Sequence, residues 1–111
     1  MGAQDFNSKA PKAMGLTSAA TVSLDPSLGT IFKITPDQAL TINALSVGYP
    51  SEVIRVYVDT SGTSSYTITF GTNFRTTATL ASGTTSARRF IVSFESDGLV
   101  WSETGRTAAM A

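Results

Sequence analysis

Glu52-Val53-Ile54-Arg55-Val56-Tyr57-Val58-Asp59 is the stretch that decides the fold class. Successive side chains of an extended chain point to opposite sides, so Ile54, Val56 and Val58 share one face and Val53, Arg55 and Tyr57 the other. β-Branched and aromatic residues fill it, as a pleated surface favours. Bulk on both faces predicts a strand covered on both sides. Gly48-Tyr49-Pro50 before it and Ser61-Gly62-Thr63 after it have turn composition.

The same period of two runs outward in both directions. Thr21-Val22-Ser23-Leu24 ends at Asp25-Pro26, and Thr30-Ile31-Phe32-Lys33-Ile34 ends at Pro36-Asp37. Between Ala39 and Leu45, Leu40, Ile42 and Ala44 share a face. Downstream, Tyr66, Ile68 and Phe70 alternate with threonines, a strand is expected over Phe74 to Leu80, and Phe90, Val92 and Phe94 line the face of another. Asp97-Gly98 is a hairpin signal leading to a last strand, Leu99 to Glu103, with the single tryptophan, Trp101. About seven or eight short strands at intervals of about ten residues predict an all-β, single-domain antiparallel β-sandwich or barrel, jelly-roll-like.

Residues 1–19 lack this alternation and read as an extended N-terminal arm, with residues 20–111 forming the β-domain and its short C-terminal tail. Phe6, Met14 and Leu16 are apolar anchors by which the arm would hold a neighbour, with Lys9 and Lys12 beside them and Arg106 in the tail as further candidate partner contacts.

Composition narrows the function classes. The 111 residues suffice for one core and little more. Cysteine and histidine are both absent, which removes disulfides, thiolate metal sites and the usual acid–base side chain at neutral pH. Net charge is zero and only 14% of residues are charged, so no basic face draws phosphates and nucleic-acid binding is not expected. Serine and threonine exceed a quarter of the chain, giving strand faces that are wet without being charged. No run approaches the length of a membrane span, and Phe6 stands where a myristoylation signal needs Ser or Thr.

Candidate chemistry is thin. Asp59-Thr60-Ser61-Gly62 follows an apolar strand as an aspartic-protease loop does, but one extra residue separates the acid from the glycine, and a turn explains it. Glu95-Ser96-Asp97-Gly98 is half of a calcium loop at best. A serine triad lacks its histidine. Tyr49, Tyr57, Tyr66 and Trp101 could form a sugar-stacking platform, though core packing is the commoner use of such residues. No catalytic, metal or cofactor-binding residue is assigned, and the chain is expected not to be an enzyme.

Three strings carry a resemblance. Leu24-Asp25-Pro26-Ser27-Leu28-Gly29-Thr30-Ile31-Phe32-Lys33-Ile34-Thr35-Pro36 resembles a segment of small structural proteins of tailed bacteriophages. So do Ser61-Gly62-Thr63-Ser64-Ser65-Tyr66-Thr67-Ile68-Thr69-Phe70-Gly71-Thr72-Asn73-Phe74 and the closing stretch from Val92 to Met110. The similarity is to capsid decoration (cement) or head-fibre proteins. It implies a virion component on the capsid surface, a homo-oligomer (a trimer by preference) that binds the major capsid protein and stabilises the lattice. A receptor- or glycan-binding β-module of a fibre or spike is the alternative.

Overall fold

The structure is a computed structural model and describes residues 12–111. It is all-β, with ten strands and no helix among those residues: β1 (Ala13–Leu16), β2 (Thr21–Leu24), β3 (Ile31–Ile34), β4 (Leu40–Ala44), β5 (Val53–Asp59), β6 (Thr67–Phe70), β7 (Phe74–Arg75), β8 (Leu80–Ala81), β9 (Arg89–Ser96) and β10 (Trp101–Arg106). They form a six-stranded sheet in the order β1-β3-β5-β9-β10-β7 and a four-stranded sheet in the order β2-β4-β6-β8.

The expected antiparallel sandwich or barrel is overturned by the pairing. β1, β3 and β5 are parallel neighbours in the larger sheet, and β2, β4 and β6 are parallel neighbours in the smaller one. The chain therefore changes sheet at every connection from β1 to β6 and advances one strand per circuit, which makes a β-solenoid of about three turns. Each sheet places its odd or even strands in stacked columns: Phe32 pairs with Val56 and Ile34 with Val58, while Val22 pairs with Ile42 and Ile42 with Phe70. Alternation reads the same whether neighbours run parallel or antiparallel, so it supplies inward residues without supplying the winding.

The corners hold the coils together. Where the first coil leaves the larger sheet, Ser18 Oγ donates to Asp37 Oδ1 at 2.8 Å and accepts from the Asp37 N–H at 3.1 Å, tying that corner to the corner above. At the opposite corner Asn43 Oδ1 accepts from the Thr72 N–H at 2.7 Å and Asn73 Nδ2 donates to the Ala44 carbonyl at 2.8 Å.

The end formed by the C-terminal third departs from the winding. β7 returns to the larger sheet, but the antiparallel hairpin β9–β10 fills the space between it and β5. Asp97-Gly98 lies in the hairpin connection, as expected, with Asp97 Oδ1 accepting from the Leu99 and Val100 N–H groups at 2.8 and 2.9 Å. These bonds hold the Asp97 carboxyl below its ordinary value. The strand expected over Phe74 to Leu80 is broken into two-residue pieces. Phe70, Phe74 and Phe94 meet with ring centroids 4.7 to 5.5 Å apart and join hairpin to coil.

Two further corrections follow. β5 is covered on one face only: Ile54, Val56 and Val58 are buried, whereas Val53 and Arg55 are exposed and Tyr57 is half-buried. On that outer face the Arg89 guanidinium sits 4.8 Å over the Tyr57 ring. The stretch read as arm up to residue 19 already contains β1, whose inward residues Met14 and Leu16 pack on the core. Glycine and alanine around them hide the alternation, since a small residue gives no apolar or polar contrast.

Candidate functional site

Four of the exposed large apolar side chains among the described residues lie at or beside the corner at which the chain passes from the four-stranded to the six-stranded sheet; Leu99, 81% exposed, stands apart in the β9–β10 connection. That corner is built from the turn after β2, residues 25–30, and the loop after β4, residues 45–52. Tyr49 is 78% exposed, Leu45 63%, Leu28 53% and Val53 39%. Tyr49 and Val53 line an open groove of about 770 Å³ together with Pro26, Ser27, Thr30, Ser46, Gly48 and Glu52, and Leu28 and Leu45 directly follow or precede lining residues. Patches of large exposed apolar residues on one surface mark interaction sites.

The loop that displays Tyr49 is held from beneath. Trp101 Nε1 donates to the Ser46 carbonyl at 2.8 Å, and Ser96 Oγ donates to the Val47 carbonyl. The Tyr49 N–H donates to Glu52 Oε1 at 2.9 Å, while the Ser51 N–H and the Ser96 N–H pair the loop with β9 at 2.8 Å each. Gly48 has φ +70°, and a β-carbon there would lie 2.8 Å from Trp101 Cζ2. Only glycine lets the loop lie this close to the indole. An exposed aromatic on a loop whose backbone is already bonded loses little further freedom on binding.

A second, smaller groove of about 380 Å³ lies past Pro50 and Ser51, lined also by Glu95, Ser96, Asp97, Ser102 and Thr104. Its carboxylates do not gather: among the described residues no three acidic, histidine or cysteine side chains are placed to hold a metal ion.

The residues singled out from sequence as partner contacts are dispersed. Phe6 and Lys9 lie outside the described residues. Lys12 is exposed just before β1, with its carbonyl accepting from the Thr30 and Ile31 N–H groups at 3.0 and 3.1 Å. Met14 and Leu16 face the core. Arg106 ends β10, on the far side of β3, β5 and β9 from β1. There its guanidinium is forked on Glu103 at 2.7 and 2.8 Å and also donates to the Ala78 and Thr79 carbonyls at 2.8 and 3.0 Å. That arrangement staples the β7–β8 connection to β10 and leaves Arg106 little reach for a partner.

The aromatic platform does not form either. Trp101 is fully buried, Tyr57 is under Arg89, and Tyr49 alone projects at the groove. Asp59 is paired with Arg89 at 2.6 Å, and the buried Thr60 hydroxyl donates to the Thr85 carbonyl and accepts from the Arg88 N–H, so this string serves as a fastened turn. Leu45 and Val53 were missed in the sequence; the signal that could have found them is that each is an apolar residue directly beside one on the inward face, Ala44 and Ile54.

Compared with protein-family models, curated proteins and solved structures, the chain matches none.

Proposed function

We propose that this chain is a non-enzymatic structural component of a tailed-phage virion that binds the outside of the capsid and reinforces its lattice. The observation that carries the binding role is the apolar corner of Leu28, Leu45, Tyr49 and Val53, fixed by the Trp101 and Ser96 bonds under its loop. The virion setting rests on the resemblance of the three strings quoted above. A short solenoid suits such a place, since stacked coils form a stiff body whose corners display loops. Contacts of about 800 Å² per partner, repeated over many copies on a lattice, gain avidity beyond any single contact.

Glycan binding by a fibre module is the second reading. It is favoured by Tyr49, an exposed ring beside the hydroxyl-bearing Ser27, Thr30 and Ser46, and weakened by the burial of Trp101.

The test is co-sedimentation of the purified chain with tailed-phage capsids assembled without it. The wild-type chain should pellet with capsids, and the Leu45→Ser/Tyr49→Ser double variant should stay in the supernatant with an unchanged circular-dichroism spectrum. A wild-type chain that never pellets, or a double variant that pellets equally well, overturns the proposal. Binding on a glycan array that Tyr49→Ala abolishes would establish the second reading instead.

A further inference from the structure

The two ends of the solenoid are unlike. At the end made by the C-terminal third, the outermost strands β7 and β8 are two residues each, β7 carries the charged Arg75, and β10 beside it has a register shift between Glu103 and Gly105. Short strands, charge and bulges are the devices by which sheet edges avoid pairing with other chains. At the other end, β1 and β2 are four residues each, both regular, and among the described residues no strand pairs with their outer sides.

The direction of the backbone groups at that end follows from the bonds already made. The Lys12 carbonyl bonds towards β3, and the Ala20 and Leu24 carbonyls bond towards β4. Bonding direction alternates along a strand, so Met14 and Leu16 also bond inward in β1, and Val22 in β2. The N–H and C=O groups of Ala13, Gly15, Thr21 and Ser23 therefore point outward. All four residues are small, uncharged and exposed.

We propose that this end is a docking surface for a second copy of the chain, placed by a two-fold axis normal to both sheets. One rotation then sets β1 antiparallel to its own copy in one sheet and β2 antiparallel to its own copy in the other. A body matching both edges at once must present two strands at the same sheet-to-sheet spacing. An identical end does so by symmetry, whereas a lone strand from another protein serves one edge and leaves the other open. In β1 the outward groups set Ala13 of each copy opposite Gly15 of the other, with Met14 at the axis, and the same rotation brings the outward groups of Thr21 and Ser23 to those of the copy's β2. The half-exposed Met14 and Leu16 become covered.

Electrostatics does not oppose the pairing. Neither strand carries a charge, and in this register the two Lys12 α-carbons stand about 13 Å apart along the strands, beyond the screening length of about 8 Å at physiological salt.

The full chain examined by analytical ultracentrifugation should show a species of twice the 11.6 kDa monomer mass. Gly15→Lys places a charge where a β-carbon meets no atom within 4 Å, so the fold is kept and the species should revert to monomer. Gly15→Pro/Ser23→Pro removes outward N–H donors only and should do the same. In the cysteine-free chain, Ala13→Cys/Gly15→Cys should form intermolecular disulfides in air, because hydrogen-bonded antiparallel pairs hold α-carbons about 5.5 Å apart. Leu45→Ser, at the apolar corner, should leave the mass at twice the monomer. A monomeric wild type, a trimer, or a dimer that survives Gly15→Lys and is lost with Leu45→Ser would each overturn the proposal.

Discussion

The Trp101 indole N–H reaches 2.8 Å to the Ser46 carbonyl, joining a fully buried side chain of the C-terminal hairpin to the loop that presents Tyr49. Residues 55 positions apart in the chain thus set one surface. Trp101→Phe deletes this donor and shrinks the core side chain, and it should cost about 1–3 kcal/mol. Urea denaturation measures the loss, and proteolysis within residues 45–52 should quicken in the variant. In the wild type, Trp101 emission should be blue-shifted and resist quenching by iodide.

Gly48→Ala strains the same loop by another route. The left-handed φ of +70° penalises any β-carbon, and the added atom would lie 2.5 Å from Glu52 Oε1 and 2.8 Å from the indole. A loss of about 1–3 kcal/mol is expected. Thermal unfolding checks it, with Gly62→Ala as the comparison, where φ is +74° but the space is open. The comparison variant should lose clearly less.

Arg106 holds the Glu103 carboxyl below its ordinary value of 4.5, chiefly through their hydrogen bonds, against an opposing contribution from burial. A carboxyl whose folded value is depressed adds stability above its unfolded value, and that stability is lost as pH falls through the folded one. The melting temperature should therefore hold between pH values of about 7 and 5 and drop below about 4.5. Glu103→Gln should be less stable at neutral pH and show a shallower acid limb. An acid limb identical in the two proteins would contradict this role for the pair.

Gly29 sits where the turn after β2 passes under β1. A β-carbon there would lie 2.7 Å from Met14 Cγ and 2.9 Å from the Lys12 carbonyl oxygen. The methionine can move, but the backbone oxygen bonded to Thr30 and Ile31 cannot without loosening β1. Gly29→Ala should cost about 1–3 kcal/mol. Hydrogen exchange should accelerate in Met14 and Leu16 and stay slow in β5 and β9.

Much of the core was legible residue by residue. Ile54, Val56 and Val58, Phe90, Val92 and Phe94, and Leu40, Ile42 and Ala44 all occupy the buried face that alternation assigns them. The Asp97-Gly98 turn was legible too, because its chemistry is local. β1 was not, since Ala13 and Gly15 flank Met14 without contrast. Neither was the corner as a unit, since Leu28 follows β2, Leu45 and Tyr49 follow β4 and Val53 opens β5, and only stacking brings Ser27 of the first connection and Tyr49 of the second to one groove.

Taken alone, the order of residues determined that this chain is all-β, which side chains of its well-alternating strands face inward, and the Asp97-Gly98 turn. Each of these depends on neighbours within a few positions. The tertiary structure alone decided that consecutive strands from β1 to β6 lie in opposite sheets and pair in parallel with strands one coil away. Met14, Phe32 and Val56 stack in one column although the steps between them are 18 and 24 residues. Coils of unequal length leave no fixed repeat to read, and an alternating strand buries the same face whichever direction its neighbour runs.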